Sequence, residues 1–513
     1  MYTHKVNTSK EDRYLNYSKL LSLFNNTDKA KLLLDGNWGL ERETQRVAPS
    51  GSLALTEHPA AFGDKLENPY ITTDFSESQL ELITPPFKKV KETYQYLKKL
   101  QIKAEREIGS ELLWPLSMPP KLPEEEKIPV ARFKDTREGR EKEIYRKGLA
   151  LRYGKKMQMI SGIHFNFSLG ERILDFLYEN SDKSMNKIDF INTIYFSAAR
   201  NYLRYRWLLI YLFGASPSID QTYYTVLCRE LKTVMECCPE CCGTIDRYEQ
   251  YATSLRLSRI GYSNTSKNKS YAFYNSLQGY ITGLRKLLAT ESRNFRKLGM
   301  YRDGEQIQLN YNVLQKESEF YSSIRLKQTT GKGESQVDAL EKRGVKYLEV
   351  RILDLNPFEK TGISLEQLYF MQVFMLFCLF EESKPITQQE QVKMDKNHHL
   401  AAISGRKPGL KLYGYDGVKI ELSDWSSEIF EGLMKVAALM DRAVDENIYM
   451  NVVEEQYKKV ISPELLPSAR IIREMLEKGE GFLKFGVRRA YENKQIKCKQ
   501  VIVKQIEDRM VQV

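Results

Sequence analysis

No stretch of this 513-residue chain is apolar for long enough to span a bilayer. A spanning helix needs about 20 apolar residues, and the most apolar run, Tyr369 to Phe380, falls short of that. The segment Met1 to Asn26 is polar and carries Lys5, Lys10, Glu11, Asp12 and Arg13, unlike a secretory leader. A cytoplasmic protein without membrane contact is expected. Dense Lys/Arg blocks with interleaved aromatics are also missing, so the net charge of +11 does not point to nucleic acid. It suits small anionic substrates instead. The basic stretch Lys484 to Lys504 reads as a solvated terminal helix. Gly331-Lys332-Gly333 lacks the spacing of a phosphate loop, and neither a Rossmann fingerprint nor a Ser-His-Asp motif is present. Of seven cysteines, four crowd into Cys237-Cys238-Pro239-Glu240-Cys241-Cys242. Cys238 and Cys241 have CxxC spacing, but Cys228 and His164 do not complete a zinc pattern. Reduced thiols in a loop are the expectation in a reducing compartment.

What is there begins with Gly39-Leu40-Glu41-Arg42-Glu43-Thr44, which alternates like a strand into Val47. A period of two puts Glu41 and Glu43 on one face. Two carboxylates that close repel unless a cation sits between them. Thr72 to Pro85 then adds Asp74 and Glu81, with Glu77 as a further acid. Carboxylate oxygens suit Mg²⁺ or Mn²⁺. In Ile160 to Leu169, Ile163, Phe165 and Phe167 share one face while His164, Asn166 and Ser168 share the other. In Val345 to Asp354, Glu349 and Arg351 lie opposite Leu348, Val350 and Ile352. The blander reading of each strand is a solvated or salt-bridged polar face.

Helices are expected from the N-terminus to about Lys31, and over Lys88 to Gly109, Arg137 to Gly154, Ile188 to Leu212, Tyr271 to Leu298, Leu365 to Glu382 and Trp425 to Tyr449. Leu113 to Pro120 holds three prolines and must be irregular. Lys121 to Asp135 reads as charged and exposed. The strands together predict an antiparallel sheet with one packed and one polar face. Clustered carboxylates with arginines point to phosphoryl chemistry on Mg-nucleotide. From residues alone the acceptor stays open.

These stretches resemble the bacterial type of glutamate–cysteine ligase. The runs are Gly39 to Thr44, Ile71 to Phe75 with Glu81 to Pro85, Trp114 to Pro119, Ser161 to Leu169, Tyr211 to Pro217, Tyr251 to Ser258 with Gly261-Tyr262, and Tyr347 to Arg351 with Asp354 to Phe358. They fall in family order over about residues 35 to 480. Leu203 to Leu209 and Met118-Pro119-Pro120 are similar to the ligase half of bifunctional glutathione synthetases.

The resemblance implies an α+β fold, a curved antiparallel sheet forming a glutamine-synthetase-like funnel surrounded by helices. It implies ATP-dependent ligation of L-cysteine to L-glutamate through γ-glutamyl phosphate, with two or three Mg²⁺ ions (Mn²⁺ as an alternative). By matching position, Glu41, Glu43, Asp74, Glu81, His164 and Glu349 are the implied metal ligands. Arg146 and Arg351 are implied to meet the transferring phosphoryl group, and Arg256 a substrate carboxylate or phosphate. Phe75, Tyr145, Leu149, Gln158, Tyr262 and Tyr321 resemble the cysteine pocket. The cysteine cluster and the surroundings of Arg325 depart from the family pattern. The implied organisation is an extension over 1–30, a catalytic domain over 31–490 and a basic tail over 491–513, in a monomer or weak homo-oligomer. The alternatives are a relative joining glutamate to another small amine, or a non-catalytic metal- or thiol-sensing protein.

Overall fold

The computed structural model describes residues 21–223, 226, 250–258, 273–414 and 417–494. The Cys237 to Cys242 cluster and Tyr262 lie outside them. The centre is a seven-stranded antiparallel sheet: β1 (Gly36–Val47), β2 (Ile71–Thr73), β3 (Gln79–Ile83), β4 (Leu112–Leu113), β5 (Ile163–Leu169), then, past a small hairpin of β6 (Tyr301–Arg302) and β7 (Glu305–Gln306), β8 (Ile324–Lys327) and β9 (Tyr347–Leu353). The spatial order is β2-β3-β1-β5-β9-β8, with β4 on the far part of β1. The sheet flanked by helices is the α+β architecture expected.

Alternation decides which face is which. Leu40, Leu80, Leu82, Phe165, Phe167, Leu348, Val350, Ile324 and Leu326 are buried in one core cluster. Against the sheet lie α1 (Val90–Glu107) and α3 (Lys187–Phe213), and α4 (Leu365–Phe380) packs on both; α3 and α4 are buried around almost their whole circumference. The longest apolar run of the sequence is therefore a central core helix. A second apolar cluster joins Phe75, Trp114, Met118 and Leu149 to Phe482 and Phe485 on the helix 482–494.

Several expectations shift. Tyr271 to Leu298 is not one helix: a short 3-10 turn precedes Leu277–Ala289, and Ser292 caps a new helix, Arg293–Lys297. Trp425 to Tyr449 is also divided. One helix, α6 (Leu422–Val444), ends at Asp445 in the left-handed region (φ 56°), and α7 (Ile448–Ile461) follows. Asp441 accepts from the Tyr449 and Met450 amides, so the break is capped. Lys121 to Asp135 is not simply exposed, because Leu122, Ile128 and Ala131 are buried. The helix α5 (Gln388–Ser404) was not expected at all. Among residues 21–30, Phe24 and Ala30 are fully buried.

Candidate active site

The polar face of the sheet forms one wall of a cavity of about 440 Å³. Register brings its acids together. Glu43 pairs with Glu81 across β1 and β3, and Glu41 with His164 across β1 and β5. Asn166 stands opposite Glu349, and Glu349 opposite Arg325. His164 Nδ1 lies 3.0 Å from Glu41 Oε2 and 3.6 Å from Glu349 Oε1, while its Nε2 lies 3.5 Å from Glu43 Oε1. One ligand atom from each of Glu41, His164 and Glu349 lies within 4.8 Å of the others, the spacing of a metal-binding group. Glu43, Asp74 and Glu81 line the same cavity outside that group.

The arginines are held in different ways. Arg351 donates to Glu349 and also reaches to 3.5 Å from His164 Nδ1. Arg256 lies on Gly162: it donates to the Arg351 carbonyl at 3.0 Å and pairs with Asp354 at 3.3 Å. A Cβ on Gly162 would fall 1.9 Å from the Arg256 guanidinium, so any side chain there would push that guanidinium out of place. The same glycine donates its amide to Glu43 Oε2 at 2.8 Å. Arg146, on α2 (Arg137–Tyr153), donates to the carbonyls of Asp74 and Thr73 and stacks over Phe133. It thereby fixes the turn that presents Asp74. Arg325 spends its donors on the carbonyls of Ser318 and Phe320, shaping the loop before β8. Glu77 is not in the cavity. It is buried against Lys65 and the amides of His58 and Arg132, because its place in the turn points it away from the trough.

Burial raises the affinity of these carboxylates for protons, and neighbours decide the outcome. Glu81 is driven well above the usual range by burial, then by Asp74, Glu41 and Glu43. Glu43 is also raised, by burial first and Asp74 next. Glu349 feels the same burial, yet Arg351, Lys327 and Arg325 hold it well below its usual value. Glu41, despite burial, is lowered by its hydrogen bond with His164. Arg351 is held above its usual value, because Glu349 and Glu43 outweigh burial.

Of the expected pocket residues, Phe75, Tyr145, Leu149, Gln158 and Tyr321 line one side of the cavity, and Tyr321 donates to Gln158 Oε1 at 3.3 Å. Burial pushes the Tyr145 phenol up, so it stays neutral. Residues that sequence reasoning missed line the other side: Arg206 on α3, and Gln391, Asp395, His398 and His399 on α5. One signal for α5 was present. Thr387-Gln388-Gln389-Glu390 has capping-box spacing, and the Thr387 hydroxyl accepts from the Glu390 amide at 3.1 Å.

The glutamate–cysteine ligase family model matches residues 21–401. The chain is 53% identical to a glutamate–cysteine ligase of Clostridium acetobutylicum over 472 residues, 92% of this chain and 98% of that protein. The chain belongs to the glutamate–cysteine ligase family. It is thus a ligase enzyme, as the resemblance of its sequence runs implied. A Pseudomonas paraeruginosa glutamate–cysteine ligase is 43% identical over 93% of the chain and 88% of its own length. Among solved structures, the Francisella tularensis glutamate–cysteine ligase in complex with AMP matches with TM-score 0.81 and 36% identity, covering 90% of this chain and 88% of that one. A bifunctional glutathione synthetase from Pasteurella multocida matches with TM-score 0.72 and 30% identity, over 91% of this chain and 53% of its own. Among the described residues no helix is long and apolar enough to cross a membrane.

Proposed function

We propose that the protein joins L-cysteine to the γ-carboxylate of L-glutamate, with ATP cleaved to ADP and phosphate. The observation that carries this reading is the group Glu41, His164 and Glu349 beside Arg351, on the polar face of a sheet in a chain of this family. The AMP bound by the Francisella relative supports an adenine nucleotide as co-substrate.

The donor set fits a hard divalent cation. Glu349 Oε2 is buried without a hydrogen-bond partner. Glu81 is pushed toward protonation by the acids around it. Crowded carboxylates such as Glu81, Asp74 and Glu43 are groups that a divalent cation would balance. Glu41, His164 and Glu349 would hold one Mg²⁺, and Glu43, Asp74 and Glu81 another, with Mn²⁺ as the alternative. When bound, Mg²⁺ neutralises charge on phosphate oxygens.

A carboxylate is inert to amines until one oxygen becomes a leaving group. The glutamate γ-carboxylate therefore attacks the γ-phosphorus of ATP, and ADP leaves. Arg351 faces the charge that develops on the phosphoryl oxygens, with Arg256 behind it. The cysteine amine then attacks the γ-carbonyl carbon, and phosphate leaves with the acyl oxygen. Phe75, Tyr145, Leu149, Gln158 and Tyr321 would hold cysteine, an apolar slot edged with hydroxyls and an amide. Tyr262, outside the described residues, is assigned there by position. Arg146 would serve the phosphoryl group by keeping the Asp74 turn in place as well as by its charge. We assign catalysis to residues 31–490, with 1–30 and 491–513 as extension and tail, in a cytoplasmic monomer or weak homo-oligomer.

The test is release of ADP with glutamate and ATP present and the amine varied. Cysteine should support turnover, and 2-aminobutyrate, alanine or ammonia should support less. No amine-dependent ADP release would overturn the ligase reading, and faster turnover with another amine would reassign the acceptor.

A further inference from the structure

Two stretches remote in sequence supply much of the side of the cavity assigned to cysteine. Tyr145 and Leu149 come from α2, and Ser318, Phe320 and Tyr321 come from the segment 307–323 between β7 and β8. Tyr145 reaches Ser318 by a side-chain hydrogen bond. The regular structure of that segment is one 3-10 turn, Glu317–Glu319. Strand pairing therefore does not place it, and its position must come from side chains. On α2, Tyr145, Leu149 and Arg152 follow at i, i+4 and i+7, so they share one stripe of the helix. The first two line the cavity, whereas Arg152 points into the protein behind it.

The Arg152 side chain is fully buried, as is that of its partner Glu319. Its guanidinium donates to Gln308 Oε1 at 2.9 and 3.1 Å, to the Asn310 carbonyl at 2.6 Å, to the Asn312 carbonyl at 3.1 Å and to Glu319 Oε1 at 3.1 Å. That engages all five N–H donors of the fork. The Phe295 ring lies 4.2 Å from its central carbon. Glu319 also accepts from the Tyr153 hydroxyl and from the Gln315 amide, both at 2.7 Å. Gln315 in turn donates to the Tyr145 carbonyl at 3.3 Å and accepts from the Leu309 amide at 3.0 Å. Gly148 on α2 makes room for it, since a Cβ there would fall 2.1 Å from Gln315 Oε1. The Tyr153 ring stands edge-on to Tyr321, with centroids 6.2 Å apart.

The structure assigns Arg152 and Glu319 as positioning residues for the acceptor amino acid: their buried pair sets the spacing between α2 and the segment 307–323, and with it the fit of cysteine. The inference rests on the ligase reading above. Neither side chain lines the cavity, so both act through Tyr145, Ser318 and Tyr321. Stability alone is a poor reason for such a pair, because well-packed apolar residues of similar volume often hold a fold as well. A fork that binds Gln308, Asn310, Asn312 and Glu319 at once does what apolar packing does not: it fixes several points of an irregular segment against one helix position. The acids Glu41, Glu43 and Glu349 lie on paired strands, and Arg146 is tied separately to the carbonyls of Thr73 and Asp74. Loosening the Arg152 fork should therefore fall on cysteine and spare ATP and glutamate.

The test separates fit from folding by measuring kinetics and thermal unfolding on the same variants. Arg152→Lys keeps the charge, but a single ammonium does not span the four partners. It should raise KM for cysteine roughly 10- to 100-fold, with kcat and the KM for ATP and glutamate within about twofold. The kcat/KM ratio of cysteine over homocysteine, one methylene longer, should fall roughly tenfold. Arg152→Met combined with Glu319→Leu removes both charges, so Tm should stay close to that of the unaltered protein while KM for cysteine remains raised. Gly148→Ala leaves the pair intact and suits a helix, yet pushes Gln315 off the Tyr145 carbonyl; KM for cysteine should rise about 2- to 5-fold with Tm unchanged. A double variant that recovers KM for cysteine along with Tm overturns the assignment, because the pair is then structural alone. An equal rise in KM for glutamate or ATP overturns it too. If the unaltered enzyme releases no ADP with glutamate and cysteine, the ligase reading fails instead. Should the Arg152 variants not fold, Gly148→Ala decides, and an unchanged KM for cysteine there overturns the assignment.

Discussion

Leu40 and Glu41 are neighbours on β1, yet they face opposite sides of the sheet. Leu40 is fully buried with Phe165, Leu80 and Val350. Glu41 faces a cavity it shares with five more acids. The first face lowers the free energy of the fold by removing apolar surface from water, about 25 cal/mol per Å². The second crowds like charges in a poorly hydrated trough, where Glu81 is forced toward protonation. One set of strands therefore stabilises on one side what it strains on the other. Crowded acids are unfavourable for an empty protein and useful for one that holds cations and phosphates.

This contrast can be broken at either face. The largest effect is expected on the apolar side. Phe165→Ala should cost about 3–5 kcal/mol of stability in urea unfolding, because a buried ring is lost and a cavity remains. A loss below about 1 kcal/mol would show that this face is not what holds the sheet. On the polar side, Glu43→Gln should lower kcat/KM by at least about 10²-fold while the unfolding midpoint stays put or rises. Near-normal rates at saturating Mg²⁺ would remove Glu43 from the site.

Glu81→Gln sharpens the comparison through pH. A carboxyl whose folded pKa lies above its unfolded value binds more protons when folded. The stability it supports is then complete below about pH 4.5 and is lost as pH rises. Measured without metal, the Gln variant should gain on the unaltered protein as pH climbs from about 4.5, and added Mg²⁺ should narrow the gap. A difference that does not change with pH would mean that Glu81 is not strained. The smallest effect is expected from Tyr321→Phe, which loses the 3.3 Å bond to Gln158. Its KM for cysteine should rise roughly 2- to 10-fold with KM for ATP unchanged; an equal rise in both would place Tyr321 elsewhere.

Much of this was legible in the chain because it is local. Alternation marked β1, β3, β5 and β9 and told their faces apart, since side chains on a strand repeat every two residues. Proline marked the loop after β4. The breaks near Asp445 and Thr290 were not legible, because the apolar pattern runs on across them while caps end the helices. The helix α5 escaped because its buried positions are small or polar, such as Asn397, Ala401 and Ala402. Gly162 looked like any glycine in a strand approach, and only the Arg256 guanidinium lying on it shows why it has no side chain.

By itself, then, the sequence determined which residues are acids on one strand face, which are core on the other, and which family they belong to. Only the tertiary structure decided that Glu41, His164 and Glu349 meet, that Glu77 does not, and that Arg206, Asp395 and His398 complete the trough. The reason is one of range. Strand period and caps act over a few residues, whereas the site joins groups up to hundreds of positions apart. What brings those groups together is pairing register and the packing of α3 and α5, and neither is written in any one stretch of the chain.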